Sequence, residues 1–92
     1  MMISPQNLAI IRFYAQKYNV QTIYLFGSAL TSPNEDEAED IDLAVRGIAP
    51  ELFFRFYGEL LRYLPKPIDL VDLSKKSRFT QLIEEEAVKI YG

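Results

Sequence analysis

Residues 25–45, LFGSALTSPNEDEAEDIDLAV, join two apolar runs through a Gly-Ser pair and a crowd of acids. Residues 22–26 are short, β-branched and aromatic, which predicts a buried strand, and residues 40–46 predict a second. Along the second strand, residues i and i+2 share a face. Asp40 and Asp42 therefore point one way while Ile41 and Leu43 face the core. Two carboxylates with Cβ atoms about 7 Å apart can grip divalent cations. Without a cation such a pair repels itself; with one, the repulsion becomes binding energy.

An Asp-x-Asp pair alone says little, because Glu35/Glu37, Glu37/Glu39 and Glu84/Glu86 share the spacing. Two features nearby and one further along add to it. Gly27 ends the first strand and lets backbone approach a phosphate. Ser28 adds a hydroxyl where a short helical segment is expected to begin, and helix starts present free N–H groups to anions. A plain strand-to-helix turn is the bland alternative. Asp69 lies within Ile68-Asp69-Leu70-Val71, a third predicted strand. In a central strand such an Asp is costly unless paired. A metal shared with Asp40 and Asp42 would pair it, and Lys66 or Arg46 would do so more simply.

Outward from this segment, Ser4-Pro5 predicts a helix start, and Leu8, Ile11, Ala15 and Tyr18 follow at helical spacing. Asn19 suits its exit. Pro33-Asn34 ends the short segment after Ser28, and Gly47 closes the second strand. Pro50 opens a helix with an apolar arc of Leu52, Phe53, Phe56, Tyr57, Leu60, Leu61 and Leu64. Gly58 sits inside it, which costs about 1 kcal/mol against Ala, and close packing of another element would account for that. Pro65 and Pro67 end this helix. Residues 68–73 form the third strand, and Ser74 can cap a last helix carrying Phe79, Leu82, Ile83, Ala87 and Ile90. The order α-β-(short α)-β-α-β-α predicts an α+β fold, an α/β sandwich with a small mixed sheet and helices packed against it. Residues 1–92 are expected to form a single domain.

Composition narrows the chemistry. The chain has 92 residues, 49% hydrophobic and 25% charged, as in an ordinary globular domain. It has no Cys and no His, which removes disulfides, zinc–thiolate sites and the usual general base. Catalysis here would run on carboxylates, hydroxyls and oxygen-loving cations. The formal net charge of −3 hides an uneven distribution: outside residues 35–42, ten basic residues outnumber seven acidic ones. An acidic mimic of nucleic acid is excluded by so local a cluster, and no direct nucleic-acid binding is expected. No run is long enough to span a bilayer, and Met1 to Asn7 lacks the basic start of a signal peptide, so cytoplasmic residence is expected.

Gly27-Ser28, then Asp40-Ile41-Asp42-Leu43, then Ile68-Asp69-Leu70-Val71 resembles the signature of the DNA polymerase β-type nucleotidyltransferase superfamily. The likeness runs from Thr22 to Tyr91 and is nearest to the minimal nucleotidyltransferases. These are small prokaryotic proteins encoded beside a HEPN-domain partner, often as the antitoxin of a toxin–antitoxin pair. The resemblance implies that Gly27 and Ser28 hold the β- and γ-phosphates of ATP. It implies that Asp40 and Asp42 hold two Mg²⁺ ions, and that Asp69 joins one metal and helps orient or deprotonate the attacking hydroxyl. The implied reaction is transfer of AMP from ATP to a hydroxyl, a Tyr hydroxyl of the HEPN partner, with release of pyrophosphate.

The chain departs from the family pattern in two places. The family often has Gly-Ser-x-Ala-Arg-Gly, against Gly27-Ser28-Ala29-Leu30-Thr31-Ser32 here, and Glu39 stands where Ser usually precedes the first metal-binding Asp. The intact acid triad favours an active enzyme. The lost Arg-Gly favours the alternative, an antitoxin that neutralises its HEPN partner by binding alone. So small a domain has little surface for a large substrate, which implies a site completed by the partner or by a second copy. Glu35, Asp36, Glu37 and Glu39 are read as a solvated loop, as are Lys75, Lys76 and Arg78 on a helix start. Arg46 shares the parity of Asp40 and Asp42, so it lies at the site's edge or in a salt bridge. Asp72, of opposite parity to Asp69, is read as a strand-end or capping residue. Phe54 or Tyr63, if exposed, would mark an interface.

Overall fold

The computed structural model describes residues 3–27 and 40–92. Helix α1 spans Pro5–Lys17, and the Ser4 side chain caps it by accepting from the Asn7 N–H at 3.2 Å. It ends where the Tyr18 N–H donates to the Tyr14 carbonyl and Asn19 turns left-handed, with φ of 56°. Strand β1 (Thr22–Phe26) pairs antiparallel with β2 (Ile41–Arg46). Helix α2 (Pro50–Tyr63) then carries the chain back so that β3 (Ile68–Asp72) lies parallel to β2, as a parallel pair requires. Helix α3 (Arg78–Glu86) is followed by β4 (Val88–Tyr91), antiparallel to β1. The order across the sheet is β3-β2-β1-β4, a mixed four-stranded sheet in an α+β fold. No helix among the described residues is long and apolar enough to cross a membrane.

Strand alternation gives the sheet two unlike faces. Ile23, Leu25, Ile41, Leu43, Val45, Ile68 and Leu70 turn to one side, where Ile11 and Ala15 of α1 and Phe56 and Leu60 of α2 bury them. On the other side α3 sends Ile83 onto Ala44 and Leu73, with Tyr24, Phe26, Val71 and Ala87 around them. This second cluster is smaller and covers only part of its face.

The structure differs from the sequence expectation at the C-terminal end. The last helix is capped by Ser77, not Ser74: Ser77 Oγ accepts from the Thr80 N–H at 3.2 Å, and Thr80 Oγ1 accepts from the Ser77 N–H at 2.8 Å. Ser74 instead donates its N–H to Asp72 Oδ1 at 2.9 Å, so Asp72 does serve as a strand-end residue. The helix stops at Glu86, and Ile90 lies in β4, buried at the rim of the core. Val88, Ile90 and Tyr91 are strand formers, and β1 has a free edge whose backbone groups need partners. Gly58 is also not a packing site: a Cβ there would meet nothing within 4 Å. The helical segment expected after Gly27 lies outside the described residues.

Candidate functional site

The acids of the site come together through strand register. In the parallel β2–β3 pair, Asp42 stands opposite Asp69, with Ile41 opposite Ile68 and Leu43 opposite Leu70. Residues opposite each other on neighbouring strands share a face and lie about 4.8 Å apart. Asp42 also stands opposite Phe26 across the antiparallel β1–β2 pair, so Gly27, the next residue, leaves β1 beside Asp42. Phe26, Asp42 and Asp69 thus form one row across three strands, with Gly27 next to Phe26 at the end of β1. Asp40 precedes β2 by one residue and is half-buried, as is Asp42.

Two hydrogen bonds hold this row in register. The Ile41 N–H donates to the Pro67 carbonyl at 2.9 Å, joining the starts of β2 and β3. The Tyr57 hydroxyl donates to the Ile68 carbonyl at 2.7 Å, pinning α2 to the residue before Asp69. The apolar cluster under α3 includes Ala44 and Val71, two residues along the strands, and Phe26 opposite Asp42, while Asp69 at the sheet edge stays exposed.

Asp69 corrects one expectation. It is exposed, because β3 is an edge strand and not a central one. The burial penalty that seemed to demand a partner is therefore absent. Arg46 is not at the acids either: its guanidinium pairs with Glu84 of α3, both side chains being 43% exposed. Among the described residues, no group of three acidic side chains is gathered closely enough to hold an ion by itself. Ser28 and the acids Glu35, Asp36, Glu37 and Glu39 lie outside the described residues.

The donor set nevertheless suits one class of cation. Carboxylates alone, with no His or Cys, favour hard oxygen-seeking ions such as Mg²⁺. Mg²⁺ usually takes one or two carboxylates and fills its remaining positions with water and substrate phosphates. Two in-register acids on an open face, with a third nearby, match that habit better than they match a closed protein cage.

The family described as "Polymerase beta, Nucleotidyltransferase" matches residues 9–92. No curated protein matches the chain. Among solved structures, a toxin–antitoxin with AMP-PNP is 26% identical, with a TM-score of 0.75 over 94% of this chain and 73% of that one. The complex of a tri-AMPylated Shewanella oneidensis HEPN toxin with its MNT antitoxin contains a chain 26% identical, with a TM-score of 0.70 over 95% of this chain and 71% of that one. The MntA–HepT toxin–antitoxin offers a chain 24% identical, with a TM-score of 0.71 over 97% of this chain and 73% of that one, a likeness that shows the fold alone.

Proposed function

This chain belongs to the polymerase beta nucleotidyltransferase family, and from that premise we propose that it transfers AMP from ATP to a tyrosine hydroxyl of a HEPN-domain protein. On this reading it is the cytoplasmic antitoxin of a toxin–antitoxin pair. The observation that carries the reading is the register that sets Asp42 opposite exposed Asp69, with Gly27 against the Asp42 carboxylate. It is supported by the 26%-identical neighbours, one described with AMP-PNP and one with a tri-AMPylated HEPN toxin.

Each residue has a distinct task. Asp40, Asp42 and Asp69 would hold Mg²⁺, which when bound supplies charge neutralisation to the triphosphate and to the entering and leaving oxygens. Gly27 and Ser28 would receive the β- and γ-phosphates. Asp69, exposed on the edge strand, is where an acceptor hydroxyl from another protein can approach. The acceptor oxygen forms a bond to the α-phosphorus, the bond from that phosphorus to the bridging oxygen breaks, and pyrophosphate leaves with the electron pair. Asp69 orients the hydroxyl and takes its proton.

A second reading rests on the segment after Gly27-Ser28, which carries Leu30-Thr31-Ser32 and no basic residue to face the phosphates. It makes the chain an antitoxin that acts by contact alone. Intact-mass measurement of a co-encoded HEPN protein, incubated with this chain, ATP and Mg²⁺, separates the two. A gain of one or more AMP masses on the HEPN protein supports transfer. A tight complex with no mass gain supports binding alone.

A further inference from the structure

Gly27 has a second reason to be glycine, and it concerns a side chain and not a phosphate. Its φ is +74°, in the left-handed region that L side chains disfavour. A Cβ built on Gly27 would overlap Asp42 Oδ2 outright, and would stand 2.9 Å from Asp42 Cγ and 3.1 Å from Asp42 Cβ. The carboxylate of Asp42 therefore occupies the space that any side chain at position 27 would fill. The contact follows from the sheet: Phe26 is the register partner of Asp42, so the next residue of β1's chain turns across the Asp42 side chain.

The three distances decide what can give way. Oδ2 and Cγ can swing aside by rotation about χ1, but Asp42 Cβ is fixed to the middle of a three-strand ladder. A methyl at position 27 is thus accommodated by turning the carboxylate out of its present rotamer. The absent side chain at Gly27 leaves open the rotamer well that the Asp42 carboxylate occupies.

We propose that Gly27 is a positioning residue for Asp42: the space left by the missing side chain seats the Asp42 carboxylate and admits its present rotamer, which a side chain at position 27 would close off. The functional consequence rests on the proposed role of Asp42 in AMP transfer; the positioning itself does not. A backbone approach to phosphate and a seat for Asp42 both forbid a side chain, but they are separable by chirality. L-alanine at position 27 puts its methyl into the Asp42 carboxylate. D-alanine accepts the positive φ readily and puts its methyl on the opposite side of Cα.

The test reads the Asp42 χ1 rotamer from three-bond N–Cγ and C′–Cγ couplings in the free, isotopically labelled chain. The D-alanine protein is made by ligating residues 1–28 to a labelled fragment beginning with Cys at position 29. Desulfurisation then restores Ala29, cleanly because the chain has no other Cys. The expected result is a single Asp42 rotamer in the natural chain and in the D-alanine protein, and a different rotamer distribution in Gly27→Ala. Unchanged Asp42 couplings in folded Gly27→Ala would overturn the proposal, as would a D-alanine protein that shifts them equally. If Gly27→Ala does not fold, Gly27→Ala/Asp42→Ala is expected to fold, and its failure to do so also overturns the proposal. If the adenylyl-transfer reading fails, the natural chain transfers no AMP while the coupling pattern is untouched, so the two failures are told apart.

Discussion

The two faces of β2 differ by one residue step and by everything that matters for function. Ile41, Leu43 and Val45 are fully buried under α1 and α2. On the opposite side Asp42 is half-buried and sits beside exposed Asp69, while Ala44, two residues along, is covered by α3. Period-two alternation lets one six-residue strand anchor the core and present Asp42, because Asp42 faces away from the side on which Ile41 and Leu43 are buried. Apolar burial of Ile41, Leu43 and Val45 anchors the strand that carries Asp42. Stability and chemistry are therefore separable at the start of this strand, between Asp42 and its buried neighbours Ile41 and Leu43.

Substitutions break or sharpen that contrast. The largest stability effect belongs to the buried side: Leu43→Ala should lower unfolding free energy by about 2–5 kcal/mol in urea titrations, through lost burial and the cavity left behind. On the open side, Asp69→Asn should lower AMP transfer by roughly 10²-fold or more, the scale of a lost acid–base group. Its urea midpoint should stay level or rise, because neighbouring like charges repel. Gly58→Ala tests the outer surface of α2, where the new methyl meets nothing. It should raise stability of the isolated chain by about 0.4–1 kcal/mol, seen as a higher melting temperature. The smallest change is expected at Glu84→Gln, which removes the ion pair with Arg46 across a solvent-exposed gap. A loss of about 0–1 kcal/mol that shrinks as salt is added would identify it as an ordinary surface pair.

Much of the core face was legible in the sequence. Ser4-Pro5 and Pro50 mark helix starts found at α1 and α2, and β1, β2 and β3 fall within a residue of their expected bounds. The C-terminal end was not, for a definite reason. Ile90 is seven residues after Ile83, which suits a helix face as well as it suits a new strand, and VKIY is too short to show its own period. Only the free edge of β1 decides it. Likewise the run Ile68-Asp69-Leu70-Val71 looks like a buried central strand, and only the strand order reveals it as an edge that exposes Asp69. At the site, parity alone placed Asp40 and Asp42 on one side. That Asp69 stands opposite Asp42, and that Gly27 faces the Asp42 carboxylate, depends on register across two strand pairs, which no local pattern encodes.

Asp42→Asn, measured for both properties in one preparation, tests the separation most directly. The substitution keeps the shape of the side chain and removes its charge. AMP transfer to the HEPN protein, followed by intact mass, should fall by at least roughly 10²-fold, while the urea midpoint stays level or rises. Transfer that persists at the natural rate, or a loss that tracks unfolding, would contradict the account.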